Sequence, residues 1–236
     1  MYRLVDEQAA FLVIDKAPGT HVHRDGEATG LMDRLRDDTG CDTLHLVHRL
    51  DAMTSGLLLV ARSADAAAAL GQALAARQVE KFYLALSDRS PRKKQGWVIG
   101  DMERSRRASW KLLPTRQDPA VTQFFSAAAG DGRRLFLLRP RTGRTHQLRV
   151  ALKSLGAPIW GDPLYHPQEP GRETPDRGYL HSYGIGFVLD GRLWRYVSAP
   201  EAGACWPVLP EAWKQPALLP WPGGSVPGLQ VECAAE

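Results

Sequence analysis

The sequence is poor in cysteine: Cys41, Cys205 and Cys233 are the only three in 236 residues, and no two are close. That spacing excludes a disulfide framework and the paired cysteines of a zinc site, and it suits a reducing compartment. Long apolar runs are missing too. None approaches the roughly 18 residues of a membrane-spanning helix. The opening MYRLVDEQAAFLVIDK is interrupted by Arg3, Asp6, Glu7 and Gln8, so no signal-peptide core is visible. A cytoplasmic protein without a membrane partner is the expectation. The histidines offer no metal centre. His21 with His23, and His45 with His48, lie on no clear helix, and no cysteine or glutamate completes a site. Gly130-Asp131-Gly132 reads as a hairpin turn, since no strand-to-helix glycine fingerprint surrounds it.

One further absence is local. Between Gly132 and Gly161 there is no acid, while seven cations occur: Arg133, Arg134, Arg139, Arg141, Arg144, Arg149 and Lys153. A second basic group comprises Arg89, Arg92, Lys93, Lys94, Arg104, Arg106 and Arg107. The net charge of +4 is modest, so it is the clustering that matters. Arginine suits planar, two-point contacts to phosphate, and two such runs point to a polyanion, nucleic acid first.

What is present is an ordinary globular composition, 44% hydrophobic and 24% charged. FLVIDKAPG reads as a buried strand ending in a turn, and GLMDRLRDDTG as a short helix closed by Gly40. SADAAAALGQALAARQ is a helix capped by Ser63, and EKFYLALS alternates as a strand. RRASWKLL, AVTQFFSA and RRLFLLRP are spaced as a three-stranded antiparallel meander. THQLRVALKSLG is helical, with Leu148, Ala151, Leu152 and Leu155 on one stripe and Arg149 and Lys153 off it. YLHSYGIGFVL and RLWRYVSAP form a closing hairpin about Asp190 and Gly191. The expectation is one α+β domain over 1–215, mostly antiparallel mixed sheet flanked by helices and loops, with a cleft across the sheet. A Pro/Gly-rich tail, 216–236, is expected to be poorly ordered or draped over the surface.

The stretch HLVHRLDAMTSGLLLVARS, 45–63, sets Asp51 beside Arg49 in a turn between two apolar runs. Taken alone, Asp51 reads as a turn aspartate; the alternative is a carboxylate delivered to a cleft by two strands. Two other segments bear on the choice: EKFYLAL, with Lys81 and Tyr83, and RPRTGRTHQLRVALKSLGAPIWGDPLY, 139–165. Together the three resemble the RluA-type family of RNA pseudouridine synthases. Its His-Arg-Leu-Asp-x-x-Thr-Ser-Gly signature matches 48–56 at every fixed position, its Lys-x-Tyr strand is here, and so are Gly-Arg-Thr-His-Gln-Leu-Arg and Pro-Ile-x-Gly-Asp. Ala151 and Ala157 stand where that pattern often has histidine.

The resemblance implies a pseudouridine-synthase fold and an isomerase acting on uridine in structured RNA, with ribosomal and transfer RNA level as substrates. It implies Asp51 as the catalytic carboxylate, Tyr83 as a ring that packs on the uracil and helps remove a proton, and Arg144 as the arginine paired with Asp51. Leu148 is implied as an apolar contact to the base, and Arg49 as the side chain that fills the gap left by a flipped uridine. His48, Thr54 and Lys81, from the same motifs, are placed on the substrate side. The chemistry is consistent with this: uracil is detached, rotated and rejoined through carbon 5, which requires no cofactor or metal. It does require an ionised carboxylate and a closed pocket. Burial between apolar strands disfavours a charged carboxylate, and a guanidinium in contact restores it. A stacked base must also be flipped out to reach such a pocket. A monomer is expected. The rivals are a catalytically silent RNA-binding protein or RNA chaperone of the same fold, and a hydrolase built on Asp51 and His48, which lacks a serine elbow.

Overall fold

In the computed structural model of the chain, which describes residues 1–22, 30–166, 171 and 173–223, the alternating runs pair into one ten-stranded sheet. His23 and the tail from residue 224 onward, with Cys233, lie outside the described residues. The chain opens with β1 (Tyr2–Glu7) and β2 (Phe11–Lys16), then α1 (Leu31–Thr39), the short β3 (His45–Leu46) and β4 (Ser55–Ala61). After α2 (Ala64–Ala75) come β5 (Glu80–Ser87), β6 (Gln95–Gly100), β7 (Met102–Arg104) and β8 (Trp110–Leu112). β9 (Ala120–Ala128), β10 (Arg134–Pro140), α3 (Gln147–Ser154), β11 (Leu180–Leu189) and β12 (Arg192–Val197) complete it. The strand order is β1-β2-β4-β11-β5-β10-β9-β6, with β12 beside β11 and β3 beside β4. Every pairing is antiparallel except β4 with β11.

Period-two alternation sorts the side chains onto two faces. Leu12, Ile14, Leu58, Val60, Tyr83 and Ala85 join α1 and α3 in one cluster. Phe11, Val13, Leu57, Leu59 and Ala61 face the other way, onto α2. β4 is therefore buried along its whole length, and Leu57, Leu58, Leu59 and Val60 each contribute about 1.5–3 kcal/mol. The opposite face of β5 and β10, with Phe82, Leu84, Leu135 and Leu137, is covered by Trp160, Tyr179 and Trp213. Tyr83 is thereby directed to the α3 side of the sheet, where the cleft lies.

One expectation changes and another narrows. The meander does not form as read: β8 pairs with β7 in a separate two-stranded arm, and β6, which the spacing did not suggest, takes the place beside β9. Asp101 closes the arm, its carboxylate accepting from the amides of Gln117 (3.0 Å) and Asp118 (2.9 Å). Of the two expectations for the tail, its described part takes the second and drapes over the domain. Through Gly223 it lies on the sheet, with the Trp221 ring 5.8 Å from Phe82 and 5.0 Å from Phe125.

Candidate active site

Asp51 lies in the loop between β3 and β4, on a cleft of about 530 Å³ that runs between β5, the end of β10 and the start of α3. The loop's shape follows from local bonding. The Thr54 amide donates to the Asp51 carbonyl at 3.0 Å, and the Gly19 amide to the Ala52 carbonyl at 2.8 Å. Gly56 adopts φ +103°, and any Cβ there would collide with the backbone of Ser182, so the parallel β4–β11 contact requires glycine.

Two cations brace the loop from behind. Lys16 is fully buried, 0% exposed, and its ammonium donates to the carbonyls of Ala17 (3.0 Å), Thr20 (2.9 Å) and Ala52 (3.1 Å). Burial pushes its pKa down to about 7, with Arg177 acting in the same direction and Asp51 and Asp15 opposing. Arg177 donates to the carbonyls of Met53 (3.4 Å) and Leu180 (2.9 Å) and to Ser55 Oγ (2.8 Å). Ser55 Oγ in turn meets His181 Nδ1 at 2.8 Å. The sequence reading missed both braces. Alternation along β2 was the available signal for Lys16, since it shares a face with Leu12 and Ile14.

The guanidinium at Asp51 is not that of Arg144. Arg149 Nη1 donates to Asp51 Oδ2 at 3.0 Å, whereas Arg144 pairs with Asp118 at the base of the arm. The expected Asp51–Arg144 pair is thus corrected. Arg149 sits on α3 with its side chain 7% exposed, and Asp162, 0% exposed, takes its Nε at 2.7 Å and Nη2 at 2.8 Å. The ion pair makes burial affordable for a residue that helical periodicity had set off the apolar stripe. The Tyr165 ring packs 4.9 Å from the Arg149 guanidinium. Its hydroxyl bridges His146 Nδ1 (2.9 Å) and the Trp110 amide (2.8 Å), linking the arm to the site.

Every other site residue expected from sequence lines the same cleft: His48, Arg49, Thr54, Lys81, Tyr83 and Leu148, with Arg144 on its rim. Burial raises the Tyr83 hydroxyl to about 12; a hydrogen bond with Ser182 opposes this and the charge of Asp51 adds to it. A phenol so placed is protonated at neutral pH, so it offers a ring face and a donor rather than a ready base. Burial pushes His48 down to about 3. Its Nε2 accepts from the Leu59 amide at 3.2 Å, so the ring is neutral and structural. That geometry removes the support for an Asp51–His48 hydrolase.

The acid-free run is not acid-free in space. Arg133 meets Glu173 at 2.6 Å, Arg139 meets Glu80 at 2.8 Å, and Arg144 and Arg149 are paired as described. Only Arg139, Arg141, Arg144 and Arg149 of the seven line the cleft. Lys81 and Arg141 do so without a direct ion pair among the described residues; burial lowers the pKa of each, and the nearby charge of Glu80 opposes this at Arg141. The result is a groove with an apolar floor, one carboxylate fixed by a buried arginine, and unneutralised cations along its wall. It suits a planar base on an anionic backbone.

Comparison with known proteins agrees. A family described as RNA pseudouridylate synthase matches residues 10–154. A Haemophilus influenzae protein described as an uncharacterized RNA pseudouridine synthase is 42% identical over 203 residues, 86% of this chain and 89% of that one. The ribosomal large subunit pseudouridine synthase C of Rickettsia bellii is 40% identical over 153 residues, 63% of this chain and 50% of that protein. Human RNA pseudouridylate synthase domain containing 1 superposes with a TM-score of 0.77 at 26% identity, covering 95% of this chain and 97% of its own.

Proposed function

This chain belongs to the RNA pseudouridylate synthase family and is an RNA pseudouridine synthase, and from that premise we propose that Asp51 is its catalytic carboxylate and a structured RNA its substrate. The observation that carries this reading is the Asp51 carboxylate at 3.0 Å from Arg149, on a cleft that also presents Tyr83 and Leu148. The reaction breaks the bond from the sugar to nitrogen 1 of uracil and forms one to carbon 5; carbon 5 loses a proton and nitrogen 1 gains one. Asp51, as nucleophile or base, serves the step in which the first bond is lost. Tyr83 and Leu148 sandwich the free uracil while it turns, and a closed groove retains it.

Arg49, exposed at the mouth of the cleft, fills the stack vacated by the flipped uridine. Lys81 and Arg141 take backbone phosphates. Ribosomal RNA is placed ahead of transfer RNA because the Rickettsia relative is named for the large ribosomal subunit. We place the protein in the cytoplasm as a monomer that needs no cofactor.

The test is to incubate purified protein with cellular RNA from a strain deleted for it, and to map pseudouridine by chemical block to reverse transcription. Wild type restores one or a few sites in ribosomal RNA. Asp51→Asn restores none, yet binds the same RNA within about threefold. Turnover by the asparagine variant above about 1% of wild type, with deamidation excluded, rules out the carboxylate role. Sites in transfer RNA alone move the substrate assignment. RNA binding without any modified uridine supports the silent RNA-binding reading.

A further inference from the structure

The Gly161-Asp162 pair of the Pro-Ile-x-Gly-Asp motif has no part in the scheme above, yet the geometry points to Asp162 as a positioning residue. We infer that it holds the Arg149 guanidinium so that Asp51 receives one hydrogen bond and keeps its second oxygen for the nucleotide. The inference rests on Asp51 being the catalytic carboxylate.

Asp162 is itself immobilised. Its Oδ1 accepts from the amides of Leu164 (2.9 Å) and Tyr165 (3.1 Å), and its own amide donates to the Ile159 carbonyl at 3.1 Å. Gly161 makes the turn possible: it adopts φ +78°, and a Cβ would collide with the Arg177 carbonyl. The carboxylate then occupies the Nε and Nη2 edge of Arg149 at 2.7 and 2.8 Å. That edge is the one an arginine uses for a two-point grip on a carboxylate. With it taken, Asp51 is met by Nη1 alone, which reaches Oδ2 at 3.0 Å. Asp51 Oδ1 has no hydrogen-bond partner among the described residues and stands on the cleft. Without Asp162, the free edge of Arg149 can close on both oxygens of Asp51. The ion pair then consumes the group that must act.

Asp162→Asn isolates this effect. It keeps an acceptor for the Leu164 and Tyr165 amides but turns an N–H toward the Nε–H of Arg149. Single-turnover rate is measured at saturating enzyme, with RNA affinity alongside. We expect a 10- to 100-fold loss of rate with affinity within threefold. In an Arg149→Met background the same change costs less than threefold, because Asp162 acts only through the guanidinium. Asp162→Glu, which retains the charge, recovers part of the rate and replaces the asparagine variant should that one not fold. A rate above half of wild type for Asp162→Asn, or equal losses with and without Arg149, overturns the inference. A second readout does not need turnover: the Nε–H resonance of Arg149 exchanges slowly in wild type and Asp51→Asn, and rapidly in Asp162→Asn. Slow exchange in all three overturns the inference. Should no uridine be modified by wild type, the proposed function fails while this resonance still decides the role of Asp162.

Discussion

Arg149 and Asp51 are 98 residues apart in the chain and meet at 3.0 Å, while Arg144, five residues before Arg149, pairs with Asp118 instead. The two arginines therefore have separable roles. Arg149→Met removes the partner of Asp51 and leaves Asp162 buried without its cation, a combination that should cost at least 100-fold in single-turnover rate and about 3–5 kcal/mol in stability. Arg144→Met loses a half-exposed pair, worth about 0–1 kcal/mol, and should weaken RNA binding a fewfold with the rate at saturation intact. Rates at saturating enzyme for both variants decide it. Equal losses would return Arg144 to the carboxylate.

A second expectation concerns Lys16, whose three carbonyl acceptors include that of Ala52, the residue next to Asp51. Lys16→Met fills the space and strands those acceptors in a dry site. The cost should be about 2–4 kcal/mol, most of it the desolvation of unpaired carbonyls. Urea unfolding gives the stability. A single-turnover rate taken where the variant is still folded should be at least tenfold down, because the loop carrying Asp51 is no longer fixed. A loss of stability with a wild-type rate would restrict Lys16 to the fold.

Acid stability depends on two histidines, His181 buried and His48 half-buried. His181 Nε2 donates to the Ser198 carbonyl at 2.8 Å, so Nδ1 accepts from Ser55 Oγ at 2.8 Å and the ring is neutral. Burial lowers it to about 4, and His48 is lowered to about 3. An unfolded histidine titrates near 6.5. As pH falls below that value the unfolded chain takes up protons that the folded chain refuses, so stability is full above about 6.5 and is lost between there and about 4. Each histidine contributes a slope of up to about 1.4 kcal/mol per unit. Urea midpoints at pH 7.5, 6 and 5 should fall less steeply in His181→Gln than in wild type. Parallel lines would mean that His181 is protonated in the fold.

The aspartate was legible because its motif is continuous in the chain: His48 to Thr54 is one loop, and Ser55 and Gly56 open β4. The same holds for α1, α2 and the β11–β12 hairpin, whose caps and turns are written in neighbouring residues such as Gly40, Ser63 and Asp190-Gly191. Arg149 was not legible. Helical periodicity places it off the stripe of Leu148, Ala151, Leu152 and Leu155, which normally means solvent, and only the carboxylate of Asp162 from a later turn makes its burial possible. Lys16 failed for the same reason: its partners are backbone carbonyls, which leave no trace in sequence. The meander failed because turn residues mark where a strand ends and not which strand it joins, and Asp101 bonds the ends of the arm together.

The last expectation separates cations that face RNA from cations that only lie near them in sequence. Lys81 and Arg141 line the cleft without a direct ion pair among the described residues, although the charge of Glu80 reaches Arg141. Arg133 belongs to the same acid-free run as Arg141, yet it is held by Glu173 at 2.6 Å and lies 4.4 Å over the Trp160 ring. A phosphate bound at an unpaired cation displaces its counterions into solution, and each such contact adds about 0.7–0.9 to the slope of log affinity against log salt. Lys81→Met and Arg141→Gln should therefore each flatten that slope by nearly one and weaken binding most at low salt. Arg133→Gln should leave the slope as it was, because its charge is already spent on Glu173, while some stability is lost with the Trp160 contact. Binding of one modified-site RNA fragment, titrated from 50 to 300 mM salt for the four proteins, supplies the comparison. A slope that drops equally for Arg133→Gln would mean that RNA follows the whole basic run around the domain, and that the cleft wall is only one part of its track.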